Sequence, residues 1–260
     1  AGGVLHFRTL DPATVPAAVS AQFSSSTLGA STGSTAGSSV SHGLWNLQTN
    51  VTGTSGDVGY RVGYSRTDFD GYRRNPIADD GSAYGRAVRS VVNSTVSVPL
   101  ATGVLRVVAN GLDMDAENPG SLNEMVLGEG DRAAHGFNVI SGATKDIRQG
   151  QLGASWSGPV GAATGEFAAW GIRRELDNPI PGRVIALDRN AGGFRTLFQK
   201  RTAVSGNALS WGAGFEVELQ KDDRQNFEND GGDAGALILD QNERVRGAGL
   251  FLQGRYDAGD

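Results

Sequence analysis

The stretch that decides the fold reads Leu209-Ser210-Trp211-Gly212-Ala213-Gly214-Phe215-Glu216-Val217-Glu218-Leu219-Gln220. Every second residue from Leu209 to Leu219 is apolar, and the residues between them are small, polar or charged. Because side chains alternate between the two faces of a β-strand, this period predicts a strand with one apolar face and one polar face.

The same alternation recurs on both sides of this stretch. Clear copies are Trp45–Thr52 and Val58–Ser65. Weaker copies are Ala17–Phe23, Val88–Val98, Leu105–Ala109, Leu152–Trp156 and Ala248–Tyr256. Two further segments, Phe167–Ile172 and Phe194–Arg201, have an ambiguous phase, and with them the pattern predicts ten strands. Glycine supplies 39 of the 260 residues, which disfavours long helices. We therefore expect an all-β, antiparallel fold.

The predicted connections alternate in length. Short turns are expected at Thr54–Asp57, Leu100–Gly103, Gly158–Gly165 and Val204–Asn207. Long polar loops are expected at Leu28–His42, Phe69–Ser82, Asp115–Ala143, Asp177–Gly192 and Asp222–Glu243. Because every second connection is short, the turns should lie at one end of the sheet and the long loops at the other.

Composition excludes several classes of protein. The chain has no cysteine, which excludes a disulfide scaffold, a thiolate metal site and a cysteine nucleophile. A formal net charge of -5 without a basic run argues against a nucleic-acid partner. No segment approaches the roughly 20 apolar residues of a transmembrane helix. The three histidines are far apart in the chain, and we predict no catalytic centre, no metal site and no cofactor.

Two architectures fit this pattern. One is an up-and-down transmembrane β-barrel, which has short turns at one end, long loops at the other and an apolar outer band. The other is a soluble β-sandwich, which buries its apolar faces between two sheets. Aromatic residues near the strand ends favour the barrel, because amphipathic rings gather at membrane interfaces. These predicted interface residues are Trp45, Tyr60, Tyr64, Trp156, Trp211 and Tyr256.

Several short motifs, in this order along the chain, resemble the TonB-dependent outer-membrane receptors. Ala1–Thr9 is similar to the last strand of that family's plug domain. Asp57–Arg61 followed by Asp70–Arg73 resembles an early barrel hairpin, Asn118–Leu122 a third-loop segment, and Asp222–Phe227 a strand exit into a long loop. The resemblance covers nearly the whole chain.

This resemblance implies a barrel of about 22 strands closed by a plug, of which about ten strands are expected here. Residues 1–12 would be the C-terminal end of the plug and residues 13–260 the N-terminal half of the barrel. The implied function is active uptake, without enzymatic chemistry, of a ferric siderophore or similar metal chelate across the bacterial outer membrane. The implied partners are the TonB complex, outer-membrane lipid and the chelate. A passive porin-type barrel and a soluble β-sandwich carbohydrate-binding module remain the alternatives.

One predicted loop carries candidate ligand-binding residues. Phe69, Tyr72, Arg73 and Arg74 combine aromatic rings with two guanidinium groups. Such groups suit an anionic, planar ligand through cation-π contacts and paired hydrogen bonds. The same residues also suit packing between loops or contact with lipid phosphates, and the sequence leaves these roles open.

Overall fold

The computed structural model describes residues 11–30, 40–80, 82–128 and 132–257. A single 3-10 turn, Pro12–Thr14, precedes the first strand. The strands are β1 (Ala18–Ala30), β2 (Val40–Ser55), β3 (Val58–Phe69), β4 (Arg73–Arg74), β5 (Ala83–Tyr84), β6 (Ala87–Leu100), β7 (Gly103–Ala116), β8 (Asp146–Val160), β9 (Ala163–Ile180), β10 (Arg183–Val204), β11 (Asn207–Asp230) and β12 (Asp233–Asp257). Two short helices, α1 (Glu124–Gly128) and α2 (Gly136–Ile140), lie between β7 and β8.

Ten of these strands form one open antiparallel sheet in which each strand pairs with the next one along the chain. Its order is β1-β2-β3-β6-β7-β8-β9-β10-β11-β12, while β4 and β5 form a separate two-stranded hairpin. The prediction of ten antiparallel, up-and-down strands is therefore confirmed. The alternative of two sheets packed face to face is wrong for the described residues.

The strand register places the predicted apolar residues on one side of the sheet. Residues directly opposite each other on paired strands share a face. One such row runs Trp156, Phe167, Thr196, Phe215 and Leu250 across β8 to β12. We call this side the apolar face and the side that carries Ser210, Glu216 and Glu218 the polar face. The register also settles the phase of β9 and β10, because Phe167, Phe194 and Phe198 lie on the apolar face.

Four tight turns lie at one end of the sheet, which we call the short-turn end. They fall between β2 and β3, β6 and β7, β8 and β9, and β10 and β11, as the sequence predicts. The last of them places both Ser205 (φ 52°) and Gly206 (φ 83°) in the left-handed region. Two successive positive φ angles are those of a type I′ turn, whose twist matches that of the flanking strands.

The opposite end, the long-loop end, differs from the prediction. Asp177–Gly192 and Asp222–Glu243 are not loops: β9 and β10 meet at residues 181–182, and β11 and β12 meet at residues 231–232. The strand pairing continues through both segments. Their side chains are largely polar, and short apolar runs such as Val184–Leu187 and Leu237–Leu239 break the alternation of apolar and polar residues. The long connections that remain are residues 70–86 and 117–145, while most of the predicted Leu28–His42 loop lies outside the described residues.

The sheet buries little apolar surface. In the described part of the chain, the buried apolar residues other than proline and glycine are Tyr84, Ala133, Ala134, Ala143 and Val184, and four of these lie in the long connections. By contrast, Leu250 is 89% exposed, Leu252 82% and Phe23 65%. An apolar face left uncovered over so many strands indicates an apolar environment outside the chain. Among the described residues, no helix is long and apolar enough to cross a membrane.

The start of the described chain lies against the polar face at the short-turn end. Arg106 Nη2 donates to Asp11 Oδ2 at 2.6 Å, joining the 3-10 turn to the polar face of β7. Gly59 of β3 is also in close contact with this turn, because a Cβ there would meet backbone atoms of Pro12 and Ala13. The sheet therefore receives its preceding segment on the polar side.

Candidate functional site

The two long connections pack against each other at the long-loop end. We name residues 70–86 loop A and residues 117–145 loop B. Loop A contains the β4–β5 hairpin, and its Arg74 forms a parallel bridge with Ala133 of loop B. The Arg74 N–H donates to the Arg132 carbonyl at 3.2 Å, and the Ala134 N–H donates to the Arg74 carbonyl at 2.8 Å. The described parts of both loops thus form one folded unit, which we call the loop cluster.

Arg73 is the main side-chain link within the loop cluster. Its Nε donates to the carbonyls of Arg132 at 3.0 Å and Ala133 at 3.2 Å, and its Nη2 donates to the Ala133 carbonyl at 2.7 Å. The residue is only 6% exposed. Buried carbonyls and a buried guanidinium satisfy each other here, so that removal of either would leave costly unpaired groups.

Glu117 and Tyr84 provide the second link. Glu117 Oε2 accepts hydrogen bonds from the N–H groups of Gly85 and Arg86, both at 2.8 Å. The Tyr84 hydroxyl donates to the Ala143 carbonyl at 3.4 Å. Burial raises the pKa of Tyr84, and the nearby negative charge of Glu117 raises it further. The Tyr84 hydroxyl therefore stays protonated and available as a donor at neutral pH.

Residues at the turn between β11 and β12 contact the loop cluster. Asn229 Nδ2 donates to the carbonyls of Ser141 and Ile180, both at 2.9 Å. Gly142 has a φ of 53°, and a Cβ at this position would meet the Gly231 carbonyl oxygen at 2.7 Å. The sequence does not predict this contact, because an asparagine that bonds to distant carbonyls leaves no spacing signal. The Asn229–Gly232 segment has turn-forming residues, but it lies within the predicted loop Asp222–Glu243.

The four predicted ligand residues are placed differently from one another. The rings of Phe69 and Tyr72 lie 6.3 Å apart, with Phe69 half-buried and Tyr72 41% exposed. Arg73 is bonded within the loop cluster, which corresponds to the loop-packing role weighed for it from the sequence. Arg74 is exposed, as is Tyr72. A ligand role for these residues remains a prediction, and the exposed side chains of Tyr72 and Arg74 are its best-placed members.

All six predicted interface aromatics lie on the apolar face. Tyr60, Trp156, Trp211 and Tyr256 are close to the short-turn end, whereas Trp45 and Tyr64 are further from it. The chain's other tryptophan, Trp170, lies on the polar face, where its ring covers Gly193 of β10. Their contact with a membrane interface is not tested by this placement and stays a prediction.

The described residues contain no group of three potential metal ligands close enough to hold an ion. His6 and the whole of Ala1–Thr9, the segment that resembles a plug end, lie outside the described residues.

A next-neighbour antiparallel sheet with one uncovered apolar face, one polar face and loops at one end has the architecture of the wall of an up-and-down β-barrel. One structure with this fold is the ferric citrate transporter FecA in its unliganded form. Its TM-score is 0.75 at 12% sequence identity, and the match covers 94% of this chain and 36% of that one. The chain thus spans about a third of the length of FecA.

A second structure with a similar fold is the RagAB peptide importer in its "open-open" state. The TM-score is 0.53 at 12% identity, and the match covers 84% of this chain and 30% of that chain. No family model and no curated protein sequence matches the chain. The predicted resemblance to a TonB-dependent receptor is confirmed at the level of the fold.

Proposed function

We propose that this chain forms part of a TonB-dependent transport receptor in the bacterial outer membrane. In this proposal residues 1–12 end the plug, and residues 13–260 form the first half of the barrel wall. The observation that carries the proposal is the uncovered apolar face that runs across all ten strands, opposite a polar face that holds the start of the described chain.

The apolar face has dimensions suited to a membrane. On β11 it extends from Leu209 to Leu219. At about 3.4 Å per residue and a tilt near 40°, such a stretch spans roughly 25 Å along the membrane normal, the height of an outer-membrane apolar band. Polar side chains on both faces follow beyond Leu219, as water on both sides would require.

The polar face would line the lumen. Asp11 and Arg106 join the incoming segment to this face beside the short-turn end, which would be periplasmic. A plug that fills the lumen would have to continue into the first strand from this side. A passive porin needs no such segment, and this contact therefore favours the plugged receptor.

The substrate we propose is a ferric siderophore or a similar anionic metal chelate. The support is the exposure of Tyr72 and Arg74 on the loop cluster at the end that would face the medium. A guanidinium and an aromatic ring can together bind a delocalised anion through charge-assisted hydrogen bonds and stacking. No covalent chemistry is proposed, and uptake would need energy transfer from TonB to the plug.

Uptake by the complete protein tests the proposal. A strain that lacks the gene should fail to grow on at least one ferric chelate as its only iron source, and the gene should restore growth only when TonB is present. Restored uptake in the absence of TonB would support a passive pore instead. Unchanged growth on every ferric chelate and on cobalamin would remove the support for a chelate substrate.

A variant comparison then tests the predicted ligand residues. The double variant Tyr72→Ala with Arg74→Gln should weaken chelate binding by about tenfold. Arg183→Gln is the matched control, because Arg183 is an exposed arginine at the same end but outside the loop cluster. Equal binding by both variants would exclude Tyr72 and Arg74 from ligand contact.

A further inference from the structure

A row of cations lies on the apolar face just beyond the apolar band. Arg173, Lys221 and Arg244 lie in one row across β9, β11 and β12, with the neutral Asn190 of β10 between Arg173 and Lys221. Arg246 also lies on this face and is opposite Leu219. Lysine and arginine directly opposite each other on paired strands repel, so the Lys221–Arg244 pair destabilises the sheet to the extent that its charge is not compensated by anions.

Nearby carboxylates neutralise only part of the positive charge of this row. Glu175 accepts from Arg173 at 2.9 Å, and Asp223 accepts from Lys221 at 2.8 Å. Both carboxylates lie two residues further toward the long-loop end. Arg244 and Arg246 are exposed and have no ion pair within the described residues. The positive charge that remains is concentrated at β11 and β12, at the border of the apolar band.

An open trough of about 910 Å³ runs along the apolar face next to these cations. Gly150, Gly171 and Gly192 line it and leave it without side chains across β8 to β10, while Leu152 and Leu219 border its apolar side. A Cβ at Gly150 would meet nothing within 4 Å, and one at Gly171 would meet only the Ala191 carbonyl at 3.9 Å. Five strands at about 4.8 Å spacing give the trough a length of roughly 19 Å.

The trough runs from the cations on β11 and β12 into the apolar band on β8. Leu219 lies twelve residues beyond Asn207, the first residue of β11, whereas Leu152 on the same row lies eight residues before Val160, the last residue of β8. The end of the trough at β11 and β12 is therefore positively charged and further from the short-turn end. The other end is apolar and closer to the short-turn end.

From this arrangement we propose that the outer surface of β8 to β12 binds a phosphate-bearing lipid of the surrounding membrane leaflet. Lys221, Arg244 and Arg246 bind its phosphate, and one acyl chain lies in the trough over Gly192 and Gly171. Charge complementarity and the apolar trough together select an amphiphile rather than a free anion. The proposal rests on the membrane location proposed above, but not on the substrate.

Lipid retention by the complete protein, extracted from outer membranes in mild detergent, tests this site. Native mass spectrometry should detect one retained phosphate-bearing lipid more often in the wild type than in Arg244→Gln with Arg246→Gln, by about tenfold. Arg255→Gln is the matched control, because Arg255 lies on β12 on the polar face and pairs with Asp257. Retention that is equal in all three proteins would overturn the proposal.

A second variant separates the lipid from a free phosphate. Gly171→Leu keeps every cation but fills the trough, and it should reduce rebinding of purified lipid A severalfold while leaving binding of inorganic pyrophosphate unchanged. Lipid A rebinding that is unaffected by Gly171→Leu, or fully displaced by millimolar pyrophosphate, would make the site an anion site only and overturn the lipid assignment. A second copy of the protein retained on this surface in place of lipid would also overturn it.

Fractionation distinguishes the two proposals. Wild-type protein absent from the outer membrane would contradict the proposed function. Protein present there with normal uptake, but with no difference in lipid retention between the variants, would contradict only the lipid site.

Discussion

Arg189 and Asp222 face each other across β10 and β11 and form a two-point ion pair on the polar face. Arg189 Nε lies 2.8 Å from Asp222 Oδ1, and Arg189 Nη2 lies 2.6 Å from Oδ2. Gln220 Nε2 adds a third hydrogen bond to Oδ2 at 3.1 Å. Asp222 is 2% exposed, so its charge depends on these donors and not on water.

Asp222→Asn should lower the free energy of unfolding by about 2 kcal/mol, because it removes the charge that Arg189 faces in a buried setting. The Arg189 side chain is 31% exposed, and water therefore recovers part of the loss. Asp223→Asn is the control: its pair with Lys221 is exposed, and its loss should cost less than about 0.5 kcal/mol. Denaturant midpoints of the complete protein in detergent, followed by tryptophan fluorescence, compare the two. Equal shifts of the denaturant midpoint in the two variants would show that the burial of Asp222 does not strengthen its ion pair.

The ion pair of Asp11 with Arg106 should make the start of the chain sensitive to acid. Burial raises the pKa of Asp11, but the Ala13 N–H and the hydrogen bond and charge of Arg106 outweigh it, so that the pKa lies below its ordinary value of 3.8. A lowered carboxyl pKa contributes stability above pH 3.8, and this contribution is lost as the pH falls through the folded-state pKa.

We therefore expect the 3-10 turn to be held at pH 6 and released well below pH 3.8. A nitroxide at Ala17→Cys should be immobile at pH 6 and become mobile at low pH. Adding Asp11→Asn should make the label mobile at both values. A label that stays immobile in the Asp11→Asn protein at pH 6 would show that the ion pair does not hold this segment.

The ten strands followed from the sequence because an apolar medium imposes alternation. In the membrane location proposed above, one face of each strand would meet lipid and the other water, so that every second residue is apolar, as in Leu209–Leu219. Beyond that band both faces would meet water, and the alternation ends even though strand pairing continues. For this reason Asp177–Gly192 and Asp222–Glu243 resembled loops in the sequence, and only the backbone hydrogen bonds show them to be strands.

The loop cluster followed from the sequence only in part. The sequence predicts long connections at loop A and loop B, and it predicts a binding or packing role for Arg73. Its partners are backbone carbonyls of Arg132 and Ala133, about sixty residues away in the chain. Any residue provides such carbonyls, so that their identity leaves no trace in composition or spacing.

Arg73→Gln should separate the two loops without unfolding the sheet. The glutamine amide is too short to replace three donor contacts to loop B, and the unpaired carbonyls would favour an open arrangement. Limited proteolysis of the complete protein should then cut loop A or loop B at least several times faster than in the wild type. Arg183→Gln, which changes the exposed first residue of β10 at the same end, should be cut at the wild-type rate. An equal rate in all three proteins would contradict a locking role for Arg73.

A cysteine scan along β11 tests the assignment of the two faces in the complete protein, and the chain itself contributes no competing cysteine. Nitroxides at Phe215→Cys and Val217→Cys should be accessible to oxygen dissolved in lipid, because both side chains lie on the apolar face and are more than a third exposed. Nitroxides at Glu216→Cys and Glu218→Cys should be shielded from lipid, and their relaxation should respond instead to a water-soluble nickel chelate wherever the lumen admits it. Adjacent positions on one strand share depth, mobility and backbone geometry, and each pair is therefore its own matched control.

An oxygen accessibility that alternates with period two assigns the apolar face to the membrane. Uniformly low values along the strand would mean that a protein layer covers that face, and the barrel assignment would then be wrong.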